Sequence, residues 1–353
     1  MKIAVYTICK DEEKHVDRFM ESASEADYVV ILDTGSQDAS VPRLRELGAI
    51  VHEEVIDPWR FDTARNRCLD LVPDDVDVCL TVDLDETVSP GWADEIRRIW
   101  VPGNNRVNYW YLVEDGESYR HHKCHSRHGW HWVNCVHEEL VGQEDNVAWA
   151  EFTVNHRPDH SKSRRQYRNM LRQHVRECPS DERGFLWLGI DYYNDGQYNE
   201  AIEACMDGCA INGGWSVNRS YMQSIAADCW ENIPFGQEQR YTCLCDAIIE
   251  APFHREAWYG LAKYLFETKS YSRLFQVCEH AVGITEKVSV SFNNPDAWGG
   301  DFYRWGGIAA RNLGLNDEAS RILHRGVLSC PDDKRLAKEY AYHLSKINPT
   351  SKS

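Results

Sequence analysis

The sequence predicts an α/β domain followed by an all-α domain built from helical repeats. In the first half, short β-branched strands alternate with amphipathic helical segments, which is typical of a parallel sheet. Polar and acidic residues follow these strands directly. From residue 181 onwards, small and apolar residues recur in paired helical segments, as they do in repeat proteins.

Composition limits the classes of protein to be considered. The 353 residues, 42% of them hydrophobic, suit two domains with separate cores. No apolar run approaches the roughly 20 residues of a transmembrane helix, so no membrane partner is expected. Charged residues follow the first strand directly, which is unlike a signal peptide. The 13 scattered cysteines indicate reduced thiols and a cytoplasmic location. A net charge of −17 argues against broad binding to nucleic acid.

The strands and helices of the first half alternate without a break. Strands are predicted over 3–9, 27–33, 49–56 and 78–82, and helices from residue 13 to about 24, from 40 to about 47 and over 61–72. This order implies a parallel sheet with helices on both faces. Ligands of such sheets bind at the carboxyl ends of the strands.

Three carboxylates stand at the end of the fourth strand, in Asp83-Leu-Asp85-Glu86. Burying them near a strand end is costly unless a cation compensates. A divalent cation that bridges to a diphosphate is one candidate, because magnesium and manganese prefer carboxylate and phosphate oxygens. A solvated turn is the alternative.

Four motifs occur in order along this half. They are Lys-Asp-Glu-Glu after strand one, Asp-Thr-Gly-Ser-Gln-Asp after strand two, the helix Phe-x-x-Ala-Arg-Asn, and Asp-Leu-Asp-Glu after strand four. Together they resemble the family-two glycosyltransferases of the GT-A fold, over roughly residues 1–160. The sequence departs from that family at Asp11, where relatives usually have Asn.

The resemblance implies a nucleotide-diphospho-sugar donor, with a UDP-sugar as the leading candidate, and a divalent metal, Mn²⁺ or Mg²⁺. Asp33 would accept from the nucleobase or ribose, and Asp83 would contact ribose or a metal-bound water. Asp85 would bind the metal. The other residues implied at the nucleotide are Thr7, Cys9, Glu12, Arg65 and Asn66. An exposed salt bridge on the helix is the alternative for Arg65.

Between Arg127 and Glu138, the motif Arg-x-Gly-x-x-Trp followed by Val-His-Glu resembles the acceptor-side segment of the same family. An inverting transfer needs a general base, for which Glu138 is the first choice and Glu139 the second. His137 would orient the base or touch the donor sugar. The alternative is that Glu138 and Glu139 are simply surface residues of a strand whose side chains alternate between its two faces. The His and Cys residues here also suggest zinc, but their spacing matches no paired ligand motif.

A strand predicted over 151–156 ends at His156, which suits a second metal ligand by analogy with the family's late histidine. Residues 157–168 are locally basic and lead into a linker or helix over 161–180. Arg164 is predicted to help close this segment over the donor diphosphate and stabilise the leaving group. The alternative is a cationic helix face or a plain linker.

Residues 181–353 resemble tetratricopeptide repeats in four units, whose starts are spaced 39, 34 and 45 residues apart, and a capping helix over 336–347. Insertions near 213–219 and 285–300 account for the longer spacings. The repeats are expected to bind an extended partner, to form a homodimer, or to brace the first domain.

The sequence therefore predicts a metal-dependent inverting glycosyltransferase that modifies a macromolecular acceptor, either a peptide, a protein or a modified nucleic acid. One alternative is a catalytically degenerate adaptor, which the complete set of acidic residues disfavours. The other is a nucleotidyltransferase on a similar sheet. That class usually has a Gly-rich phosphate loop after the first strand, and Lys10-Asp-Glu-Glu13 contains no glycine.

Overall fold

The structure is a computed structural model that describes residues 1–113, 118–142, 146–158, 167–288, 290 and 294–347. The chain divides into two compact units, Met1–His174 and Val175–Ser353. The first unit is mixed α/β and the second is helical. Within the described residues, no helix has the length and apolar character needed to cross a bilayer.

The elements of the first unit follow the predicted alternation. The strands are β1 (Ile3–Cys9), β2 (Tyr28–Asp33), β3 (Ile50–Glu53), β4 (Val78–Thr81), β5 (Glu86–Val88), β6 (Arg106–Leu112), β7 (Ser118–Ser126), β8 (Trp130–Val133), β9 (Glu139–Gly142) and β10 (Val147–His156). The helices are α1 (Glu13–Ala23), α2 (Ser40–Glu46), α3 (Phe61–Asp70), α4 (Trp92–Ile99) and α5 (Tyr167–Glu177). The third strand is shorter than predicted, because Glu54 and Val55 leave the sheet and are exposed.

Eight of these strands form one sheet in the order β3-β2-β1-β4-β7-β6-β10-β5. Strands β1 to β4 pair in parallel, as predicted, but β7 is antiparallel to both β4 and β6. The parallel sheet predicted from the first four strands is therefore confirmed for β1 to β4, whereas the rest of the sheet is mixed, with β6 and β10 parallel and β7 and β5 antiparallel to their neighbours. There β6 and β7 lie next to each other in sequence and pair directly, without the helical crossover that parallel neighbours need.

Both faces of the central strands are buried. Alternate residues of β1, such as Val5 and Tyr6, belong to two separate hydrophobic clusters on opposite faces of the sheet. The cluster of Val5 includes residues of α1 and α4, and the cluster of Tyr6 includes residues of α3. Burial on both faces explains why β1, β2 and β4 are continuous apolar runs.

Strands β8 and β9 form a separate antiparallel hairpin. Trp130, Trp132 and Leu140 of this hairpin belong to the same cluster as Tyr6 and α3. Its connecting loop contains two non-glycine residues with positive φ, Asn134 at 76° and His137 at 49°. The hairpin thus packs against the α3 side of the large sheet.

The second unit consists of antiparallel helix pairs and a final helix, which confirms the predicted helical repeats. Its helices are α6 (Glu182–Asn194), α7 (Tyr198–Cys209), α8 (Ser216–Glu231), α9 (Gln237–Glu250), α10 (Arg255–Glu267), α11 (Tyr271–Ala281), α12 (Asp301–Asn312), α13 (Asn316–Ser329) and α14 (Lys334–Ile347). A short 3₁₀ helix, Pro295–Trp298, precedes α12. Glycines permit the closest approaches: a Cβ on Gly307 would overlap the side chain of Leu323.

Candidate functional site

The candidate site lies at the carboxyl edge of the parallel strands. The register places Cys9 of β1 opposite Asp33 of β2, and Tyr6 of β1 opposite Thr81 of β4. The loops that follow β1, β2 and β4 therefore meet at one edge of the sheet. This is the convergence on which the predicted site depends.

The loops after β1 and β2 are tied together by hydrogen bonds. The backbone N–H of Asp11 donates to Oγ of Ser36 at 2.9 Å, and Oδ1 of Asp11 accepts from the N–H of Gln37 at 2.7 Å. Asp11 has a φ of 52°, a conformation that Asp and Asn adopt more readily than most residues. An aspartate therefore suits this position of the loop.

The carboxylate of Asp33 is buried and holds the second loop. Its Oδ1 accepts from the N–H groups of Gly35 and Ser36, at 3.0 and 2.9 Å, and its Oδ2 accepts from the hydroxyl of Ser36. Gly35 has a φ of 112°, a region reserved for glycine. Asp33 therefore shapes the loop at the predicted nucleobase position.

The other residues predicted around the base differ in exposure. Thr7 is buried, and its hydroxyl lies 3.2 Å from Oδ1 of Asp83. Cys9 is also buried, and that burial raises the pKa of its thiol to about 12, so it is a neutral side chain. Glu12 is half-buried, and its backbone N–H donates to Oγ of Ser40 at 2.8 Å.

Glu86 holds the turn after β4. It is buried, one of its oxygens accepts from the N–H of Asp83 at 2.8 Å, and the other accepts from the hydroxyl of Tyr111. Burial and the nearby charge of Asp83 raise the pKa of Glu86 to about 7. The three carboxylates therefore differ in role, and Glu86 is structural.

Arg65 of α3 joins two carboxylates across the site. Its Nη2 donates to both oxygens of Asp83, at 2.9 and 3.1 Å, and its Nε donates to Oε1 of Glu138. The guanidinium also lies 5.1 Å from the ring centre of Trp132, and only 5% of the Arg65 side chain is exposed. The alternative of an exposed salt bridge is therefore wrong for Arg65.

The electrostatic interactions in this bridge favour the ionised forms of Arg65 and Asp83. Burial lowers the pKa of Arg65, but the charges and hydrogen bonds of Asp83 and Glu138 outweigh it and raise that pKa above its usual value. Burial likewise opposes ionisation of Asp83, but Arg65 and Lys123 lower its pKa to about 2. One nitrogen of Arg65, Nη1, is buried and has no hydrogen-bond partner among the described residues.

Asn66 fastens the hairpin to α3. Its Nδ2 donates to the carbonyl of Trp132 at 2.7 Å, and its Oδ1 accepts from the N–H of Trp132 at 2.7 Å. The sequence predicted that Asn66 faces the nucleotide. In the structure both halves of its amide bind the backbone of β8, so it positions that strand.

The two residues predicted for acceptor chemistry are neighbours with different surroundings. Glu138 has 11% of its side chain exposed and is paired with Arg65, whereas His137 is exposed in the loop before β9. Glu139, the second choice for the base, begins β9 opposite Val133. Glu138 reaches the Asp83 network through Arg65, which donates to both carboxylates.

Asp85 and His156 lie together at the far side of the same turn. Nε2 of His156 is 3.4 Å from Oδ2 of Asp85, and about a quarter of each side chain is exposed. The hydrogen bond to Asp85 raises the pKa of His156 against the opposing effect of burial. The predicted pair of metal ligands is therefore adjacent, although 71 positions separate the residues in the sequence.

A second cation, Lys123 of β7, was not predicted. Its Nζ lies 5.7 Å from the ring centre of Trp132, and its charge lowers the pKa of Asp83. The sequence offered only a weak signal, because Lys123 stands among histidines in a segment considered for zinc. Its place depends on the pairing of β7 with β4, which the sequence pattern did not reveal.

The described residues contain no group of three or more His, Cys, Asp or Glu side chains placed to hold a metal ion. Asp85 and His156 supply two donors, an oxygen and a nitrogen. Magnesium commonly takes one or two protein carboxylates and completes its shell with phosphate and water, so Asp85 fits such an ion, whereas an imidazole nitrogen is more typical of softer metals. Arg164 lies outside the described residues.

The chain is similar to solved structures of tetratricopeptide repeat proteins. A thermophilic TPR protein from Thermus thermophilus is 16% identical, with a TM-score of 0.34, and the match covers 50% of this chain and 88% of that one. A tetratricopeptide repeat protein from Parabacteroides merdae is 17% identical, with a TM-score of 0.37 and coverage of 51% and 66%.

YrrB, described as a TPR protein with an unusual peptide-binding site, is 11% identical to this chain. Its TM-score is 0.37, and the match covers 50% of this chain and 82% of that one. No protein-family model matches the sequence, and no curated protein matches it.

Proposed function

We propose that the protein is a metal-dependent inverting glycosyltransferase of the GT-A type. It would transfer a sugar from a nucleotide-diphospho-sugar, with a UDP-sugar as the first donor to test, to a macromolecular acceptor. The observation that carries the proposal is the buried bridge of Arg65 between Asp83 and Glu138, because it links the donor loop after β4 to the acceptor-side segment. Removal of one partner from such a buried pair is strongly destabilising, so the bridge holds both carboxylates in fixed positions.

The donor would bind where the loops after β1, β2 and β4 meet. Asp33 and the backbone groups it orders would face the nucleobase or ribose, and Asp83 would contact the ribose. A divalent metal bound by Asp85 and His156 would neutralise charge on the diphosphate as the bond to the sugar breaks. His156 must be neutral to bind a metal, and Asp85 raises the pKa of this histidine, so metal affinity should fall at low pH.

Glu138 is the proposed general base. It would take a proton from the acceptor nucleophile, which attacks the anomeric carbon from the face opposite the diphosphate. The new bond forms as the carbon–oxygen bond to the diphosphate breaks, and the nucleoside diphosphate leaves with that electron pair. Arg65 would hold Glu138 in place before the acceptor arrives.

The repeats would present the acceptor. Helical repeats bind extended partners along a continuous surface, so a peptide or protein is the acceptor favoured here. This assignment comes from the architecture of the second unit, and the acceptor's identity is left to the experiment.

Donor hydrolysis tests the proposal directly. Purified protein with manganese and a panel of nucleotide-sugars should release a nucleoside diphosphate slowly without any acceptor. Asp85→Ala should abolish this release, whereas Asp94→Ala, whose side chain is 90% exposed on α4, should leave it unchanged. Absence of binding and turnover with every donor, with Asp85→Ala indistinguishable from the wild type, would exclude an enzyme and favour the adaptor alternative.

The base is tested separately by comparing Glu138→Gln with Glu139→Gln. Glu138→Gln should keep donor binding and lose transfer, because glutamine preserves the shape of the side chain but accepts no proton. Glu139→Gln should keep both. Transfer at the wild-type rate by Glu138→Gln would assign the base to another group.

A further inference from the structure

Lys123 is a cation at the candidate site to which the sequence assigned no role. It makes no hydrogen bond or ion pair through its ammonium group with any residue that the structure describes, and its recorded contact is with the ring of Trp132. Arg65, which lies against the same tryptophan ring, donates hydrogen bonds to Asp83 and Glu138. A half-buried ammonium that has no hydrogen-bonded anion among the described residues is available to an external anion.

A β-bulge places this lysine. Val107 of β6 pairs with Cys124, and Tyr109 pairs with His121, so two steps along β6 correspond to three along β7. The extra residue lies at the position of His122 and Lys123. Bulges redirect side chains next to functional sites. Here Cys124 packs into the core on one face of the sheet, and the ammonium of Lys123 lies beside Trp132, whose cluster is on the other face.

Lys123 and Arg65 both lie against the ring of Trp132, and Arg65 binds Asp83 in the turn after β4. Arg65 lies 5.1 Å from the same tryptophan ring and already neutralises Asp83 and Glu138. Among the residues that the structure describes at this site, Lys123 is therefore a cation that forms no hydrogen bond with a carboxylate.

We propose that Lys123 binds the diphosphate of the donor, as a fixed positive charge beside Trp132 that acts together with the metal. This inference rests on the proposed function, since it adds a binding residue to that site. A lysine ammonium suits this role because it binds phosphate oxygens as a point charge and needs no fixed fork geometry. It would also stabilise the leaving group as negative charge develops on it.

Binding measurements without metal isolate this contribution. The probes are inorganic pyrophosphate, UDP and GDP, with uridine and guanosine as uncharged counterparts, measured by isothermal titration calorimetry. The variants are Lys123→Met, Lys123→Arg and the charge-matched control Lys334→Met, which removes an exposed lysine of the second unit. Lys123→Met should weaken pyrophosphate and nucleoside diphosphate binding about tenfold or more, the range of a lost charge-assisted hydrogen bond.

Nucleoside affinity should stay the same in Lys123→Met, and Lys123→Arg should retain most of the diphosphate affinity. Wild-type diphosphate affinity in Lys123→Met would overturn the role of Lys123 and leave the proposed function standing. An equal loss of nucleoside affinity would overturn it as well, because the lysine would then be structural. If the wild-type protein bound none of the probes without metal, this inference would fall, and absence of binding after manganese is added would overturn the proposed function as well.

Discussion

Replacement of Arg65 by methionine tests whether the buried bridge is a matched set of charges. Methionine fills much of the same volume and keeps contact with Trp132, but it leaves Asp83 and Glu138 without their shared counter-ion. The wild-type bridge has two hydrogen bonds to Asp83, at 2.9 and 3.1 Å, and one to Glu138. Removing one partner of a buried ion pair costs about 3–5 kcal/mol.

The exposure of the two carboxylates determines where within that range the loss of unfolding free energy should lie. The side chain of Glu138 is 11% exposed, but that of Asp83 is 35% exposed and is partly solvated once Arg65 is gone. We therefore expect Arg65→Met to lower the free energy of unfolding of the first unit by about 3 kcal/mol at pH 7, the lower end of the buried-pair range. The matched control is Arg67→Met on the same helix. Arg67 is 48% exposed and pairs with Glu54 alone, so less than about 1 kcal/mol is expected.

The pH dependence has a definite sign. The pKa of Asp83 is lowered to about 2 in the folded protein, so its stabilising effect is present above its ordinary value of 3.8 and is lost as pH falls towards 2. Without Arg65, burial raises that pKa, and Asp83 takes up a proton at a higher pH. The difference in the free energy of unfolding between the wild type and Arg65→Met should therefore become smaller as the pH is lowered from 7 to 4.

The assay is urea unfolding at both pH values, with amide protection of α3 followed by hydrogen-exchange mass spectrometry. A local readout is needed because two units that unfold separately do not give one two-state transition. The reasoning would be refuted if Arg65→Met matched Arg67→Met at pH 7. It would also be refuted if the loss of stability were the same at pH 4.

Three further predictions concern other parts of the molecule. Asp85→Asn should lower the pKa of His156, because it removes the hydrogen-bonded charge that raises it, and the midpoint of an NMR titration of the ring would then fall. Asn66→Ala should cost about 1–3 kcal/mol and reduce amide protection in β8, because the backbone of Trp132 loses both of its partners. Gly307→Ala should destabilise the second unit by about 1–3 kcal/mol in thermal or urea unfolding, because the added methyl overlaps a leucine of α13.

The sequence was sufficient where local pattern and sheet geometry act together. Continuous apolar runs identified β1, β2 and β4, and the rule for carboxyl edges brought Asp33 and Asp83 to the same place. The helical repeats were equally predictable, because small residues recur where helices touch, as Gly307 illustrates. These features need only the period of the sequence.

Long-range pairing accounts for what the sequence did not predict. Lys123 belongs to the site because β7 inserts antiparallel beside β4, and because a bulge moves one residue out of register. Asn66 was predicted to face a ligand, but its amide binds a strand that starts 64 residues later. Neither the pairing of a strand nor the partner of a buried amide is encoded in a local pattern.

The bridge also constrains the proposed chemistry of Glu138. Oε1 of Glu138 accepts a hydrogen bond from Nε of Arg65, so that oxygen must be released before it can take a proton from an acceptor. Arg65 also donates a hydrogen bond to Asp83, however, so it has a second carboxylate partner. If a bound donor draws Asp83 closer to Arg65 or engages the unpaired Nη1 of Arg65, the hydrogen bond to Glu138 weakens and its oxygen becomes available to the acceptor. Donor binding and activation of the base would then be coupled through a single side chain, which gives a reason for Arg65 to be buried between them.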